Sequence, residues 1–254
     1  MGRIIAVANQ KGGVGKTTTS VNLAACLAEA GKKVLLVDED PQGNATSGLG
    51  IAKNSLKQCI YDTLIKKVPL QEITHKTAFG ELYVVPATIQ LAAAEIDLVN
   101  QPNREGCLKE AIDKVKEQYD YIIIDCPPSL SLLTINAFMA ADSVLIPIQS
   151  EFYALEGVTQ LMSTIQKVQE RLNPDLVIEG ILMTMYDSRT HLANDVLGEV
   201  RKYFAKELYN TIIPRGVRLG EAPSYGQPIN IYDTKSKGAE VYRALAQEVL
   251  QHGN

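Results

Sequence analysis

Residues 3–18 read RIIAVANQKGGVGKTT, and this stretch decides the fold. Its apolar first half, 3–9, predicts a buried β-strand, and the glycines that follow predict a turn. Residues 17–30 then carry apolar side chains at helical spacing. A strand, a glycine-rich loop and a helix that opens on Gly15-Lys16-Thr17 form the end of the P-loop pattern. The stretch therefore predicts a phosphate-binding loop at the start of a helix.

The residue types of this loop suit a nucleoside triphosphate and Mg²⁺. Glycines let backbone N–H groups turn toward phosphate oxygens, and the positive end of the helix dipole adds to the attraction. We expect Lys16 to reach the β- and γ-phosphates of ATP, Thr17 to bind Mg²⁺ directly, and Thr18 to add a further contact. The predicted nucleotide-binding residues of the loop are Lys11, Gly12, Gly13, Val14, Gly15, Lys16, Thr17 and Thr18.

The loop departs from the general pattern at its first position, where Gln10 stands in place of a glycine. Lys11 followed by two glycines marks the deviant form of the P-loop instead. In proteins that this segment resembles, the extra lysine crosses to the ATP of a second subunit and stabilises charge on the γ-phosphate, as an arginine finger does. Lys11 and Lys16 are therefore candidate catalytic residues, and an ATP-dependent homodimer is expected. The alternative for Lys11 is a solvated loop lysine.

Two further apolar runs end in acidic residues at positions where ligands bind. The runs 33–38 (KVLLVD) and 121–125 (YIIID) are continuous, as in parallel strands covered on both faces, and ligands of such sheets lie beyond the carboxyl ends of the strands. We expect Asp125, and secondarily Asp38, to hold Mg²⁺ through its water. Asp38 is also a possible partner of Lys16. The alternative for Asp125 is a cap on the following turn.

Asp40 is the candidate for the residue that orients the attacking water. Phosphoryl transfer to water needs a group that holds the nucleophile in line with the γ-phosphate. Asp40 lies two residues beyond the strand end, in the same predicted crevice as the loop. The alternative is a turn aspartate before Pro41, since Asp-Pro is a common turn pair.

Apolar runs alternate with helical patterns along the chain, which predicts an α/β fold of the P-loop NTPase type. Its sheet is expected to be mainly parallel and twisted, with helices on both faces. Because no linker, repeat or low-complexity segment interrupts the pattern, residues 1–254 are interpreted as one domain. The predicted strands are 3–9, 33–38, 82–85, 121–125, 143–148, 178–183 and, more weakly, 211–213. The predicted helices are 17–30, 90–99, 104–118, 133–140, 157–172, 193–208 and 239–251.

Composition argues against several other classes of protein. No run approaches the roughly 18 apolar residues of a membrane span, and the first apolar run is too short for the core of a signal peptide. The four cysteines form no CxxC pair, which disfavours an iron–sulfur centre and is typical of reduced thiols in a cytoplasmic protein. The net charge of -4 does not by itself indicate nucleic-acid binding.

Segments spread over nearly the whole chain resemble the chromosomal ParA/Soj family of DNA-partition ATPases. Together with KGGVGKTT, they are VDEDPQGNATSGLG (37–50), VPAT (85–88), DCPPS (125–129), QSEFYALEG (149–157) and IPRGVRLGEAPSYGQPI (213–229). The resemblance implies an ATP-sandwich homodimer, slow hydrolysis with Mg²⁺, and non-specific binding of double-stranded DNA by the ATP-bound dimer. It also implies a ParB/Spo-type centromere-binding partner and a cytoplasmic, nucleoid-associated protein that does not use the membrane.

The resemblance also assigns DNA-contacting residues. The family's DNA-contacting arginines match Arg189 and Arg218, and the nearby Lys202, Arg215 and Lys237 are expected to assist them. Each would neutralise a backbone phosphate, so binding should be independent of sequence and sensitive to salt. The alternative for any one of them is a solvated surface charge.

A base-binding loop is the last assignment that the resemblance makes. Residues 213–218 are similar to the family's loop, so Pro214, Arg215 and Gly216 are expected to lie against the adenine. Gly220 stands where relatives more often have a serine, which leaves the local conformation of the loop open.

Three other classes share the phosphate-binding loop and differ elsewhere in sequence. A MinD-like membrane-cycling ATPase, the nearest of them, ends in a basic amphipathic helix, whereas residues 239–254 hold one arginine, two glutamates and one histidine. This tail is therefore predicted to be a packed helix. An iron–sulfur reductase component requires paired cysteines at a dimer axis. A bacterial tyrosine kinase would carry a tyrosine-rich tail, and this tail has only Tyr242.

Overall fold

The computed structural model describes residues 2–151 and 154–252, in which seven strands form one sheet. The strands are β1 (Arg3–Val7), β2 (Val34–Asp38), β3 (His75–Lys76), β4 (Leu82–Val85), β5 (Tyr121–Asp125), β6 (Ser143–Gln149) and β7 (Val177–Thr184). Their order across the sheet is β3-β4-β2-β5-β1-β6-β7. The short edge pair β3–β4 is antiparallel, and all the other neighbouring strands are parallel. The mainly parallel sheet predicted from the sequence is confirmed.

The helices connect these strands and cover both faces of the sheet. They are α1 (Lys16–Glu29), α2 (Asn44–Gly48), α3 (Ile60–Lys66), α4 (Leu70–Ile73), α5 (Ala94–Asp97), α6 (Cys107–Ile112), α7 (Leu132–Ala140), α8 (Ala154–Arg171), α9 (His191–Tyr203), α10 (Val217–Glu221), α11 (Ile229–Tyr232) and α12 (Lys237–His252). Short 3₁₀ turns occupy Lys53–Ser55, Ile89–Ala93, Leu98–Asn100, Lys116–Gln118 and Ala222–Tyr225.

Alternation of side chains along each strand builds two hydrophobic cores, one on each face of the sheet. In β1, Ile4 and Ala6 pack on the face covered by α3, α6, α7 and α8, and Ile5 and Val7 pack on the face covered by α1 and α12. Because both faces are buried, the strands are apolar throughout. The prediction of helices on both faces is confirmed.

The register of the central strands brings three strand ends together. Val7, the last residue of β1, lies beside Asp125 of β5 and Leu145 of β6. Asp38 of β2 lies beside Asp125 from the other side. The loop that follows β1 and the two acidic strand ends therefore share one edge of the sheet.

The tail helix is packed, as the sequence predicted. In α12, Tyr242, Leu245 and Val249 are buried in the same core as α1. Among the helices of the described residues, none combines the length and the apolar character needed to cross a membrane.

The predicted strand 211–213 is wrong. The segment runs beside β7, where the Ile213 N–H donates to the Met183 carbonyl at 2.8 Å, but it forms only an isolated bridge at Pro214. The Thr211 N–H donates instead to the Glu248 carboxylate at 2.8 Å, and Pro214 has no N–H to donate. Neither residue can therefore donate a backbone hydrogen bond to a neighbouring strand, and the segment runs beside the sheet without joining it.

Two predicted helices are interrupted. The helix predicted over 104–118 is reduced to α6 and a 3₁₀ turn. Its start is delayed because Asn136 of α7 accepts from the Leu108 N–H at 3.1 Å and donates to the Arg104 carbonyl at 2.7 Å. The helix predicted over 90–99 consists of α5 between two 3₁₀ turns. In addition, α9 ends at Tyr203, five residues before the predicted end, and the sequence did not indicate β3 or the short helices α2, α3, α4, α10 and α11.

Candidate nucleotide-binding site

The loop between β1 and α1 has the backbone of an anion-binding cradle. Gly13 and Gly15 have φ of 77° and 85°, in the left-handed region that favours glycine. Gly15 caps α1 without any side-chain hydrogen bond, so the N–H groups of the first turn have no partner among the described residues. A Cβ built on Gly12 or Gly13 would meet no atom of residues 2–151 or 154–252 within 4 Å, so the loop borders open space. An anion can therefore approach the start of this helix.

Lys16 is a buried cation at the base of this loop, with 7% of its surface exposed. Its ammonium donates to the Lys11 carbonyl at 3.1 Å, which uses one of the three protons that a lysine can donate. Burial lowers the pKa of Lys16, and the nearby carboxylates of Asp125 and Asp40 oppose that shift. A buried ammonium with spare donors beside an open cradle suits phosphate oxygens.

The hydroxyl and the carboxylate predicted to hold Mg²⁺ lie in contact. The Thr17 hydroxyl donates to Asp125 Oδ2 at 2.8 Å, and the Ser20 hydroxyl donates to Oδ1 at 2.8 Å. Burial, followed by the neighbouring Asp38, raises the pKa of Asp125. These oxygen donors are of the kind that Mg²⁺ prefers. Sequence reasoning missed Ser20, although its place three residues after Thr17 puts both hydroxyls on one face of α1.

Asp38 is fully buried and is engaged by the segment that follows it. Its Oδ2 accepts from both the N–H and the hydroxyl of Thr46 at 2.7 Å, and its Oδ1 accepts from the Asp40 N–H at 3.2 Å. The Thr46 hydroxyl in turn accepts from the Ala87 N–H at 2.9 Å. Burial raises the pKa of Asp38 to about 6. In this arrangement Asp38 anchors α2 to the strand ends, and it makes no hydrogen bond with Lys16 among the described residues.

Asp40 lies in a tight turn at the mouth of the crevice and is 7% exposed. Its Oδ1 accepts from the Gln42 N–H at 2.9 Å, and its carbonyl accepts from the Gly43 N–H at 2.8 Å. The charge of the carboxylate also opposes the lowering of the Lys16 pKa by burial. Asp40 therefore has the turn geometry of its alternative interpretation and also interacts electrostatically with the buried ammonium.

Glu39 stands between these two aspartates in the sequence. It is fully buried, and neither carboxylate oxygen has a hydrogen-bond partner among the described residues. Burial, with a smaller contribution from Glu95, raises its pKa well above the ordinary range. The charge of Glu39 also helps to raise the pKa of the buried Cys126 thiol, which burial raises most. No motif predicted this unpaired acid.

Lys11 forms an ion pair with Glu151, just beyond the end of β6 in the same chain. The loop is tied to this strand end by Asn9, whose Oδ1 accepts from the Lys11 N–H at 2.9 Å and whose Nδ2 donates to the Pro147 carbonyl at 2.7 Å. Glu151 was not singled out by sequence reasoning, because 140 residues separate it from Lys11.

The predicted base-binding loop borders the cradle. A cavity of about 140 Å³ is lined by Pro214, Arg215 and Gly216 together with Gly15 and Thr18 of the phosphate loop. Further lining residues, which sequence reasoning missed, include Thr184 and Met185 at the end of β7. The Thr184 hydroxyl donates to the Val14 carbonyl at 2.8 Å, and Met185 has a φ of 48°. A planar base next to the triphosphate loop would fit this position.

Known proteins resemble this chain over most or all of its length. A family model described as an AAA domain matches residues 2–178. The chain is 62% identical over 253 residues to the sporulation initiation inhibitor protein Soj of Bacillus subtilis, with 100% of both proteins covered. The chain belongs to the ParA/Soj family. The chromosome partitioning protein ParA of Myxococcus xanthus is 58% identical over 251 residues, which cover 99% of this chain and 89% of that protein.

A solved structure extends the comparison from sequence to fold and ligands. Cobyrinic acid a,c-diamide synthase of Mycobacterium smegmatis, solved with a bound ATP analogue and magnesium, superposes with a TM-score of 0.88 at 41% identity. The match covers 100% of this chain and 96% of that one. The P-loop fold predicted for this ParA/Soj-family chain therefore has a solved counterpart over its whole length.

The predicted DNA-contacting residues of this ParA/Soj-family chain are exposed, and most are paired with nearby acids. Asp187 holds Arg189 through two side-chain hydrogen bonds of 2.8 and 2.7 Å, and these lower the pKa of Asp187 to about 2. The charge of Arg215 makes a smaller contribution in the same direction. The remaining ion pairs are Arg218 with Glu221 and Asp233, Lys202 with Glu199, and Lys237 with Glu240.

Proposed function

We propose that this chain is a Mg²⁺-dependent ATPase whose ATP-bound form dimerises, binds double-stranded DNA without sequence preference and partitions DNA with a ParB-type partner. Slow hydrolysis then returns the DNA-bound dimer to monomers. The observation that carries the proposal is the open start of α1, capped by Gly15 and by no side chain among the described residues, together with the buried Lys16 ammonium and the Thr17–Asp125 pair. Residues 1–254 act as one ATPase domain in this proposal, and the protein works in the cytoplasm on the nucleoid.

Each predicted residue has a role in this proposal. The loop amides from Gly12 to Thr18 and the Lys16 ammonium bind the phosphates, and Pro214 to Gly216 pack against the adenine. Thr17 binds Mg²⁺ directly, while Asp125 and, less directly, Asp38 hold its waters. Mg²⁺ when bound neutralises charge on the phosphate oxygens. Asp40 orients the attacking water, and Lys11 of each subunit stabilises the γ-phosphate held by the other.

The DNA-binding part of the proposal rests on the resemblance and on the exposed cations. Arg189, Arg215 and Arg218, assisted by Lys202 and Lys237, would contact phosphates. Dimerisation joins two such surfaces, so affinity rises steeply even when each half binds weakly.

Gel filtration of the purified protein with Mg²⁺ tests the function as a whole. We expect a monomer with ADP, a dimer with ATP, and co-elution with duplex DNA of arbitrary sequence when ATP is present. Failure to dimerise with ATP would contradict the proposal. Co-sedimentation of the ATP form with anionic lipid vesicles, without DNA binding, would favour the MinD-like alternative.

Arg189→Glu should weaken DNA binding and leave ATP-dependent dimerisation intact. Each phosphate contact contributes about 0.9 to the slope of log affinity against log salt, so losing two contacts per dimer should lower that slope by about 1.8. Binding to a fluorescent duplex, measured at several salt concentrations, checks this result. Arg171→Glu, with the same charge change in the last turn of α8, is the control. An unchanged slope in the Arg189 variant would remove this residue from the DNA-binding surface.

A further inference from the structure

The ion pair between Lys11 and Glu151, which we term the cis pair, conflicts with the proposed task of Lys11. That lysine should contact a phosphate held by another subunit, yet its ammonium is paired with a carboxylate of its own chain. Both side chains are partly exposed, 37% for Lys11 and 44% for Glu151, so the pair can open without unfolding.

The fold builds the cis pair from two segments that are held firmly together. The Asn9 bridge ties the loop backbone at Lys11 to Pro147 of β6. On the other side of the loop, the Thr184 hydroxyl lies 2.8 Å from the Val14 carbonyl and 3.0 Å from the Ile148 carbonyl. These hydrogen bonds hold the end of β6 against the loop, and Glu151 therefore stays within reach of Lys11.

We propose that Glu151 is a positioning residue that holds Lys11 within its own subunit until a nucleotide on a second subunit competes for it. This inference rests on the proposed function, because it presupposes that Lys11 acts across a dimer. A γ-phosphate carries more negative charge than one carboxylate, so ATP on the facing subunit competes for the ammonium. When the Lys11 ammonium leaves the Glu151 carboxylate for this phosphate, dimer assembly comes to depend on a bound triphosphate.

The size of the effect follows from the exposure of the pair and the symmetry of the dimer. Partly exposed ion pairs change an equilibrium by up to about fivefold. A two-fold symmetric dimer opens one cis pair in each subunit, so the two contributions multiply. Removing the Glu151 charge should therefore lower the dimer dissociation constant by about tenfold, and by roughly 25-fold at most.

The test compares the parent protein with Glu151→Gln, which removes the charge and keeps the size of the side chain. Glu117→Gln makes the same charge change in the turn before β5, at the amino-terminal ends of the strands, whereas the site lies at their carboxyl ends. Sedimentation of each protein with Mg²⁺ and a slowly hydrolysed ATP analogue measures the dimer dissociation constant. Titration of dilute monomer with the same analogue measures nucleotide affinity. Mass spectrometry measures the acetylation rate of Lys11 in nucleotide-free protein.

Support requires three results for Glu151→Gln: a dimer dissociation constant about tenfold lower, unchanged nucleotide affinity of the monomer, and faster acetylation of Lys11. An unchanged dissociation constant, or an increase, overturns the inference, and an increase would mean that Glu151 serves the assembled dimer. Unchanged acetylation also overturns it, since the ammonium would then be free already. If the parent protein itself does not dimerise, the proposed function fails together with the inference. If the parent dimerises and Glu151→Gln has the same dissociation constant, only the inference fails.

Discussion

Asp40→Ala should lower the rate of ATP hydrolysis by about 10² to 10⁴ while leaving ATP-dependent dimerisation intact. Removing a group that positions or deprotonates the nucleophile has this effect in other enzymes. Asp40 is held for this task by the turn at Gln42 and Gly43, and its carboxylate interacts electrostatically with the buried Lys16. Because hydrolysis separates the dimer in our proposal, the variant should also stay on DNA much longer than the parent. Single-turnover hydrolysis and dissociation of a labelled duplex measure the two effects.

A second substitution separates catalysis from the role of Asp40 in its turn. Asp40→Asn keeps an oxygen that can accept from the Gln42 N–H, so the turn should persist. Hydrolysis by this variant should nevertheless be much slower than in the parent, because a neutral amide holds the attacking water less strongly than a carboxylate does. Normal turnover by Asp40→Asn would show that the residue serves only the turn.

Glu39→Leu should stabilise the ligand-free protein by about 1–4 kcal/mol near pH 8. A buried carboxyl without a hydrogen-bond partner costs roughly 1–3 kcal/mol when neutral and more when ionised, and an apolar side chain of similar volume removes this cost. Both Glu39 oxygens lack partners among the described residues. Denaturant unfolding in the presence of a chelator measures the difference, and Glu117→Leu, on the surface, is the control.

The stabilising effect of Glu39→Leu should grow as pH rises. The folded-state pKa of Glu39 is raised above its ordinary value of 4.5, so folded protein binds the proton more tightly than unfolded protein does. The parent therefore loses stability as pH rises above that value, by up to about 1.4 kcal/mol per pH unit until the folded state also releases the proton. Asp38 and Asp125 also have raised pKa values and act in the same direction in both proteins. A pH-independent difference, or a less stable variant, would mean that Glu39 has a compensating partner.

Much of the candidate site was predictable because its residues are close in sequence or end a strand. The loop from Lys11 to Thr18 has local signals for every step from strand to helix. Asp125 and Asp38 were found because each ends a continuous apolar run, and parallel strands collect their carboxyl ends at one edge. Ser20 lacked such a signal, since a hydroxyl inside a helix has many ordinary roles.

The errors in predicted secondary structure have tertiary causes. The segment 211–213 has strand-like composition, but Glu248 of a distant helix takes the Thr211 N–H. The helix predicted from residue 104 is shortened at its start because Asn136 bonds to its backbone. In both places, a side chain from elsewhere in the fold competes for backbone groups that local propensity would have paired differently.

The sequence by itself determined the cradle, because backbone conformation over a short stretch depends mostly on neighbouring residues. It also determined the class of fold and the family, because the alternation of apolar patterns and the motifs can be read directly along the chain. Only the tertiary structure decided that Thr17 and Ser20 share the carboxylate of Asp125, that Glu151 faces Lys11, and that Glu39 is buried without a partner. These relations depend on the order β2-β5-β1-β6 at the centre of the sheet. Apolar periodicity indicates that strands will pack, but it does not state which strands become neighbours.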